Sequence, residues 1–208
     1  MSVIETLLTQ HPIRKSAAQK ETFRTWVMEQ AQDMGYSAET EKLSGNSNVI
    51  IGNPEAAQVV FTAHYDTPAA MPLPNIIFPK NRLLFIITQT GSVLLMLGIA
   101  ALLGGATVKL TANAEAAKNI FRLALIVQAL LMLLGPANKN NANDNTSGVA
   151  AVMEIMARLP QEQRNKAAFI LFDNEEKGLL GSGAYARKRK AIKPVSYTHL
   201  TLPTMAVV

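Results

Sequence analysis

From Leu83 to Leu103 the chain runs without a single charge, and the polar residues inside the run are only Thr88, Gln89, Thr90 and Ser92, beside Gly91. At a helical rise of about 1.5 Å per residue this is the length that crosses the hydrocarbon core of a bilayer. A second apolar run, Ile120 to Leu134, has Arg122 near its start. It reaches spanning length only if Lys118 and Arg122 extend their stems to the interface. The pair predicts an apolar helical hairpin, transmembrane over residues 83–134, with membrane lipid as its partner and the polar loop Thr107 to Asn119 at its tip. A soluble hairpin packed on its own domain or on a twin subunit fits the same pattern. The uniform apolarity of the first run favours insertion.

This pair also accounts for the composition. The chain is 49% hydrophobic and only 17% charged, against roughly 25% charged in an average soluble domain. The net charge is +5, with the basic residues dispersed except for Arg187, Lys188, Arg189 and Lys190. That run suits the C-terminal end of a helix. No stacking platform or recognition-helix motif accompanies it, so no nucleic-acid partner is expected. The absence of cysteine excludes disulfides, thiolate catalysis and Cys-ligated metal. The first residues, MSVIETLLTQHPIRKSAAQ, hold no long apolar segment of the signal-peptide kind.

Outside the hairpin, helical and β patterns alternate. Ser16 to Met34 predicts an amphipathic helix with Phe23, Trp26, Val27 and Ala31 at helical spacing and Gly35 as its C-terminal cap. Tyr36 to Leu43 predicts a strand that ends in the turn Ser44-Gly45-Asn46, and Asn48 to Ile51 a second strand. Gln58 to Ala63 is a β-branched, aromatic run that predicts a buried strand stopped by Pro68, where a Pro-rich linker to Pro79 begins. Beyond the polar loop Asn138 to Asn145, Thr146 to Leu159 predicts a helix burying Val149, Val152, Met153, Ile155 and Met156. Ala167 to Phe172 predicts another strand and Gly178 to Lys190 another helix. The alternation implies an α/β fold with a largely parallel sheet.

Three polar clusters sit where such a fold builds sites, after strands and at helix starts. In His64-Tyr65-Asp66 the residues two apart share one face of an extended chain. An imidazole that can bind zinc thus stands beside a carboxylate that can orient it. In Asn143-Asp144-Asn145-Thr146-Ser147-Gly148 one residue is needed to cap the helix, and the Asp can cap it or bridge two metal ions. In Asp173-Asn174-Glu175-Glu176 the adjacent like charges make either a solvated acidic turn or a metal ligand beside a general base.

The runs VVFTAHYDT, NANDNTSGVAAVMEIMARL and AAFILFDNEEKGLLGS resemble the aminopeptidase Y family of dizinc peptidases. Its members include bacterial leucyl aminopeptidases, glutamate carboxypeptidase and, as a divergent relative, glutaminyl cyclase. The resemblance covers roughly Lys20 to Arg189 without the apolar insert. It implies a three-layer zinc-exopeptidase fold, a mixed and largely parallel sheet flanked by helices. It also implies two zinc ions, with His64 and Glu176 as metal ligands, Asp144 as the carboxylate bridging both ions, Asp66 as the support of His64 and Glu175 as the general base. The implied reaction is hydrolysis of short peptides from the amino end through a metal-bound water.

The family places an Asp and a late His after its Glu-Glu pair. Here no acidic residue follows Glu176, and the later histidine is His199, in a tail from Ser196 to Val208 that is unlike the family. Residues 196–208 are therefore read as non-native, and the chain as a fragment of a metallo-aminopeptidase that holds part of the ligand set. The peptidase domain is expected over 1–75 and 138–195, with the hairpin inserted at 76–137. Because both ends of the insert return to one domain, it crosses an even number of times. Lys80, Arg82 and Lys139 on the domain side place the catalytic domain in the cytoplasm by the positive-inside rule, although Lys109, Lys118 and Arg122 at the other end weaken the asymmetry. Two other readings fit the same motifs: glutaminyl cyclase-type acyl transfer with one zinc, and a non-catalytic peptidase-like binding module.

Overall fold

A computed structural model describes residues 2–70, 78, 80–139, 141–189 and 198–199. Most of the Pro-rich linker and all of the tail except Thr198 and His199 lie outside the described residues. The chain divides into two compact units, one formed by Met1–Pro68 with Ala137–Val208 and the other by Ala69–Pro136.

The first unit is a mixed α/β structure. Helix α1 (Val3–Gln10) opens with a capping box, in which the Ser2 hydroxyl accepts from the Glu5 N–H and the Glu5 carboxylate from the Ser2 N–H. Helix α2 (Ala17–Asp33) is capped in the same way by Ser16 and Gln19. It ends as its sequence predicts. Gly35 takes a left-handed φ of 84°, and the N–H groups of Gly35 and Tyr36 return to the carbonyls of Gln32 and Ala31, a Schellman ending.

Strands β1 (Ala38–Leu43) and β2 (Asn46–Ile51) form a hairpin closed by Ser44 and Gly45, both at positive φ. This turn type matches the natural twist of paired strands. Strand β3 (Val59–His64) lies parallel to β4 (Ala167–Phe172), which runs antiparallel to β2. The order is β1-β2-β4-β3, with the two-residue β5 (Thr198–His199) parallel to β3. The sheet is thus mixed rather than largely parallel, because the short turn at Ser44-Gly45 permits only an antiparallel return.

All of β4 is buried, and its alternate residues serve different faces. Phe169 and Leu171 pack with Phe23, Val27 and Ala31 of α2 and with Val149, Val152, Met153 and Met156 of helix α5 (Ser147–Arg158). Ile170 and Phe172 pack on the other face with Ile50 and with Tyr185 of helix α6 (Leu180–Lys188). Ile155, expected among the buried residues of α5, is only partly covered.

The second unit is a helical hairpin of α3 (Arg82–Thr111) and α4 (Ala114–Leu134). The expected polar tip from Thr107 to Asn119 is not a loop, for all but two of its residues are helical. Ala112 takes a left-handed conformation and Asn113 caps α4, so the turn is only Ala112-Asn113. The hydroxyls of Thr107 and Thr111 bond back to carbonyls one turn earlier, and Glu115 pairs with Lys118. Gly104 sits so close to α4 that a Cβ there would lie 3.2 Å from the Ala117 carbonyl oxygen. Both helices are long and apolar enough to cross a membrane. Leu102 and Leu110 are 75% and 84% exposed, so this apolar surface is not spent on a core within the hairpin.

Candidate metal centre

The C-terminal ends of β3 and β4 lie side by side, His64 opposite Phe172, and the Tyr65 N–H continues the ladder to the Phe172 carbonyl at 3.0 Å. His64 therefore leaves its strand next to the point where Asp173-Asn174-Glu175-Glu176 leaves the neighbouring strand. The second cluster enters through the turn Ala142–Thr146 that leads into α5.

One ligand atom each from His64, Asp144 and Glu176 lies within 4.8 Å of the others. The His64 Nε2 is 3.4 Å from an Asp144 oxygen, and its Nδ1 is 3.4 Å from an Asp66 oxygen. These distances are long for hydrogen bonds, and the buried Nδ1 has no well-formed hydrogen-bond partner. Asp66 is buried and spends its oxygens on the third cluster, accepting from the Glu175 N–H at 3.0 Å and the Glu176 N–H at 3.1 Å. One carboxylate thus ties the histidine strand to the Glu-Glu turn. The Glu175 carboxylate is buried and turned to α6, where it accepts from the Ser182 N–H at 2.7 Å and the Ser182 hydroxyl at 2.8 Å. Asp144, by contrast, is the exposed member, its side chain 65% accessible. The side chain of Asn143 lies outside the described residues.

The protonation pattern is that of a site built for a cation. Burial works to lower the His64 imidazole, but the carboxylates of Asp144, Asp66 and Glu176 push it up to about 10. Burial, reinforced by the Asp144 charge and opposed by His64, pushes the Glu176 carboxyl up to about 7. Burial works to raise Asp66 as well, yet His64 and Lys20 hold it below the ordinary carboxylate range. A proton on His64 therefore sits where a metal ion would do the same electrostatic work. An imidazole and two carboxylates also form a donor set that zinc accepts.

Two close approaches fix the loops that carry these residues. A Cβ at Gly148 would lie 2.0 Å from the Asn145 side-chain oxygen, and one at Gly181 would lie 2.1 Å from the Asp173 carbonyl oxygen. Reading the sequence missed several supports. The Lys20 ammonium, buried, bonds the side-chain oxygens of Asp173 at 2.6 Å and Asn174 at 2.7 Å. The Arg14 guanidinium is also buried, between the first two loops. Ser182 holds Glu175. Lys20 stands on the inner side of α2 with Phe23, Val27 and Ala31, and a lysine on an apolar stripe is a legible signal. Arg14 and Ser182 carry none.

Residues 128–200 match the model of Peptidase family M28, a stretch that contains Asp144, Glu175 and Glu176 and leaves out His64 and Asp66. No curated protein and no solved structure matches the chain. The matched stretch is thus similar to the M28 peptidases, and the grouping of His64 with Asp144 and Glu176 is a donor set compatible with that likeness.

Proposed function

We propose that this chain carries the metal-binding part of a zinc-dependent aminopeptidase that acts on short peptides and is held at a membrane by α3 and α4, with the catalytic unit in the cytoplasm. The observation that carries the reading is the convergence of His64, Asp144 and Glu176 within 4.8 Å. These three would hold an ion through the imidazole Nε2 and one oxygen of each carboxylate. Asp144 is the residue that would be shared with a second ion, were two bound as the family resemblance implies. When bound, zinc supplies Lewis acidity that polarises a peptide carbonyl and makes water a better acid. Asp66 holds the Glu-Glu turn through the Glu175 and Glu176 N–H groups and stands behind the imidazole, its oxygen 3.4 Å from the His64 Nδ1. Glu175, its carboxylate held in place by the two Ser182 donors, is the candidate to take a proton from water and pass it to the leaving amine. A three-layer zinc-exopeptidase fold agrees with helices packed on both faces of β4.

The first test is metal binding by the full chain in detergent or nanodiscs, by competition with a chromophoric zinc chelator. His64→Ala and Glu176→Ala should lose binding, whereas Glu175→Gln should keep it. Absence of binding in the unaltered chain would sink the reading. Turnover is then assayed on leucyl anilide, its N-acetyl derivative and a peptide with N-terminal glutamine. Cleavage that requires the free amine supports an aminopeptidase, ammonia release from the glutamine peptide points to a cyclase, and binding without turnover points to a non-catalytic module.

A further inference from the structure

We propose that Arg14 is a positioning residue that holds the His64-Asp66 loop and the Asp144 loop in register, an inference that rests on the zinc-site reading above. Arg14 lies in the segment between α1 and α2 and is fully buried. Its three side-chain nitrogens serve three acceptors, one in its own segment and one in each of the two loops. Nε donates to the Tyr65 carbonyl at 2.6 Å, Nη1 to the His11 carbonyl at 2.6 Å and Nη2 to the Thr146 hydroxyl at 2.8 Å. Its backbone adds two bonds to the first loop, from the Arg14 N–H to the Thr67 hydroxyl at 2.9 Å and from the Thr67 N–H to the Arg14 carbonyl at 3.1 Å.

The placement matters because of what these partners adjoin. Tyr65 lies between His64 and Asp66, and Thr146 is two residues beyond Asp144. The direct His64–Asp144 contact of 3.4 Å is too long to lock one loop to the other. The same bridge has a second span. Thr146 donates to the Asn141 side chain, and Asn141 donates to the Pro12 carbonyl at 2.6 Å. Residues 11–14 thus brace the Asp144 loop through Thr146 and Asn141 and the His64 loop through Tyr65 and Thr67. The guanidinium spreads its donors over three nitrogens in one plane, whereas the three donors of a lysine ammonium leave a single nitrogen, so a lysine here does not reach these three acceptors at once. Lys20 does the corresponding work for the Glu-Glu turn through Asp173 and Asn174.

The test compares zinc affinity and the visible spectrum of the cobalt(II) form, both on the full chain in nanodiscs. Arg14→Met and Arg14→Lys should each weaken zinc binding by about 10–100-fold, the range for losing an outer support of a metal ligand, and should alter the cobalt ligand-field bands. Thr146→Val cuts the same bridge at its far end while leaving the arginine in place. It also removes the Thr146–Asn141 bond of the second span, and it should move both readouts in the same direction. Val152→Ala, a core truncation remote from the loops, controls for general loss of stability. The inference is overturned if Arg14→Met, or Thr146→Val should Arg14→Met not fold, binds zinc within about twofold of the unaltered chain with the same cobalt spectrum. It is overturned too if Arg14→Lys matches the unaltered chain or if Val152→Ala weakens binding as much. If the unaltered chain binds no zinc, the zinc-site reading itself fails and this inference goes with it. Equal binding by all variants removes only the role of Arg14.

Discussion

His64 shows how a single residue can report the business of a site. An imidazole boxed by three carboxylates keeps its proton until about pH 10, so at neutral pH a metal ion must displace that proton in order to bind. The sign follows directly: protons compete with the cation, and affinity rises with pH as long as the imidazole is protonated in the free protein. Between pH 7.5 and 9 zinc binding should release about one proton from His64, and affinity should rise about tenfold per pH unit. Below pH 7 the Glu176 carboxyl, which titrates at about 7, adds a second proton and steepens the dependence. Calorimetry in two buffers of different ionisation enthalpy measures the number released. A binding enthalpy independent of the buffer at pH 7.5 would show that the ion binds elsewhere. His64, Asp144 and Glu176, which the fold brings together, were legible as candidates, since each stands in a polar cluster that follows an apolar run. Their supports were less so, because Arg14 acts through backbone carbonyls that no side-chain pattern marks.

Among the elements, α6 shows what close packing demands. Gly181 is buried against the backbone of Asp173, where a Cβ would meet the Asp173 carbonyl oxygen at 2.1 Å and its nitrogen at 2.8 Å. Backbone cannot rotate away as a flexible side chain can, so Gly181→Ala must push α6 off the strand end or distort the Glu-Glu turn. A cost of about 1–3 kcal/mol is expected, the usual range for overpacking. Gly183, two residues on in the same helix, meets only the far end of Arg187 at 3.4 Å. Gly183→Ala should be neutral or stabilising, by up to roughly 1 kcal/mol from helix propensity. Urea unfolding of the two variants checks the pair, and equal midpoints would contradict it. At this scale the sequence was most informative where burial is two-sided. The run Ala167 to Phe172 is apolar throughout and is the strand β4 residue for residue. Helix α1 is harder to read although Ser2 and Glu5 stand at capping-box spacing, because it is only eight residues long and fully buries only Leu7, with Val3 and Ile4 partly covered. The hairpin tip misled because Thr107, Lys109, Thr111 and Glu115 are polar, and polarity was taken for loop. Hydroxyls that bond to their own helix and a paired Glu–Lys are compatible with helix all the way to the turn.

At the scale of the whole molecule, the unit that carries the proposed zinc site can be separated from the apolar hairpin. The chain leaves and re-enters that unit at one place, where the Asn138 N–H donates to the Pro68 carbonyl at 2.9 Å. The two ends are already paired, so a short Gly/Ser loop can replace residues 71–135 at little closure cost, which grows only slowly with loop length. The core residues Phe23, Val27, Val149, Met153 and Phe169 all belong to the unit that remains. The shortened chain should therefore fold and bind zinc as the full chain does, while losing its hold on lipid. In flotation with liposomes the full chain should rise with the vesicles and resist alkaline carbonate, and the shortened chain should stay in the soluble fraction. The lack of cysteine permits a direct check of topology. A cysteine placed at Ala112, in the turn between α3 and α4, and one placed at Ser44, in the β1–β2 turn, should be labelled by an impermeant maleimide on the same side of the membrane only if the hairpin does not cross. Labelling on opposite sides establishes insertion. Labelling on the same side, with full carbonate extraction, would mean that the exposed leucines of α3 and α4 cover a protein surface instead.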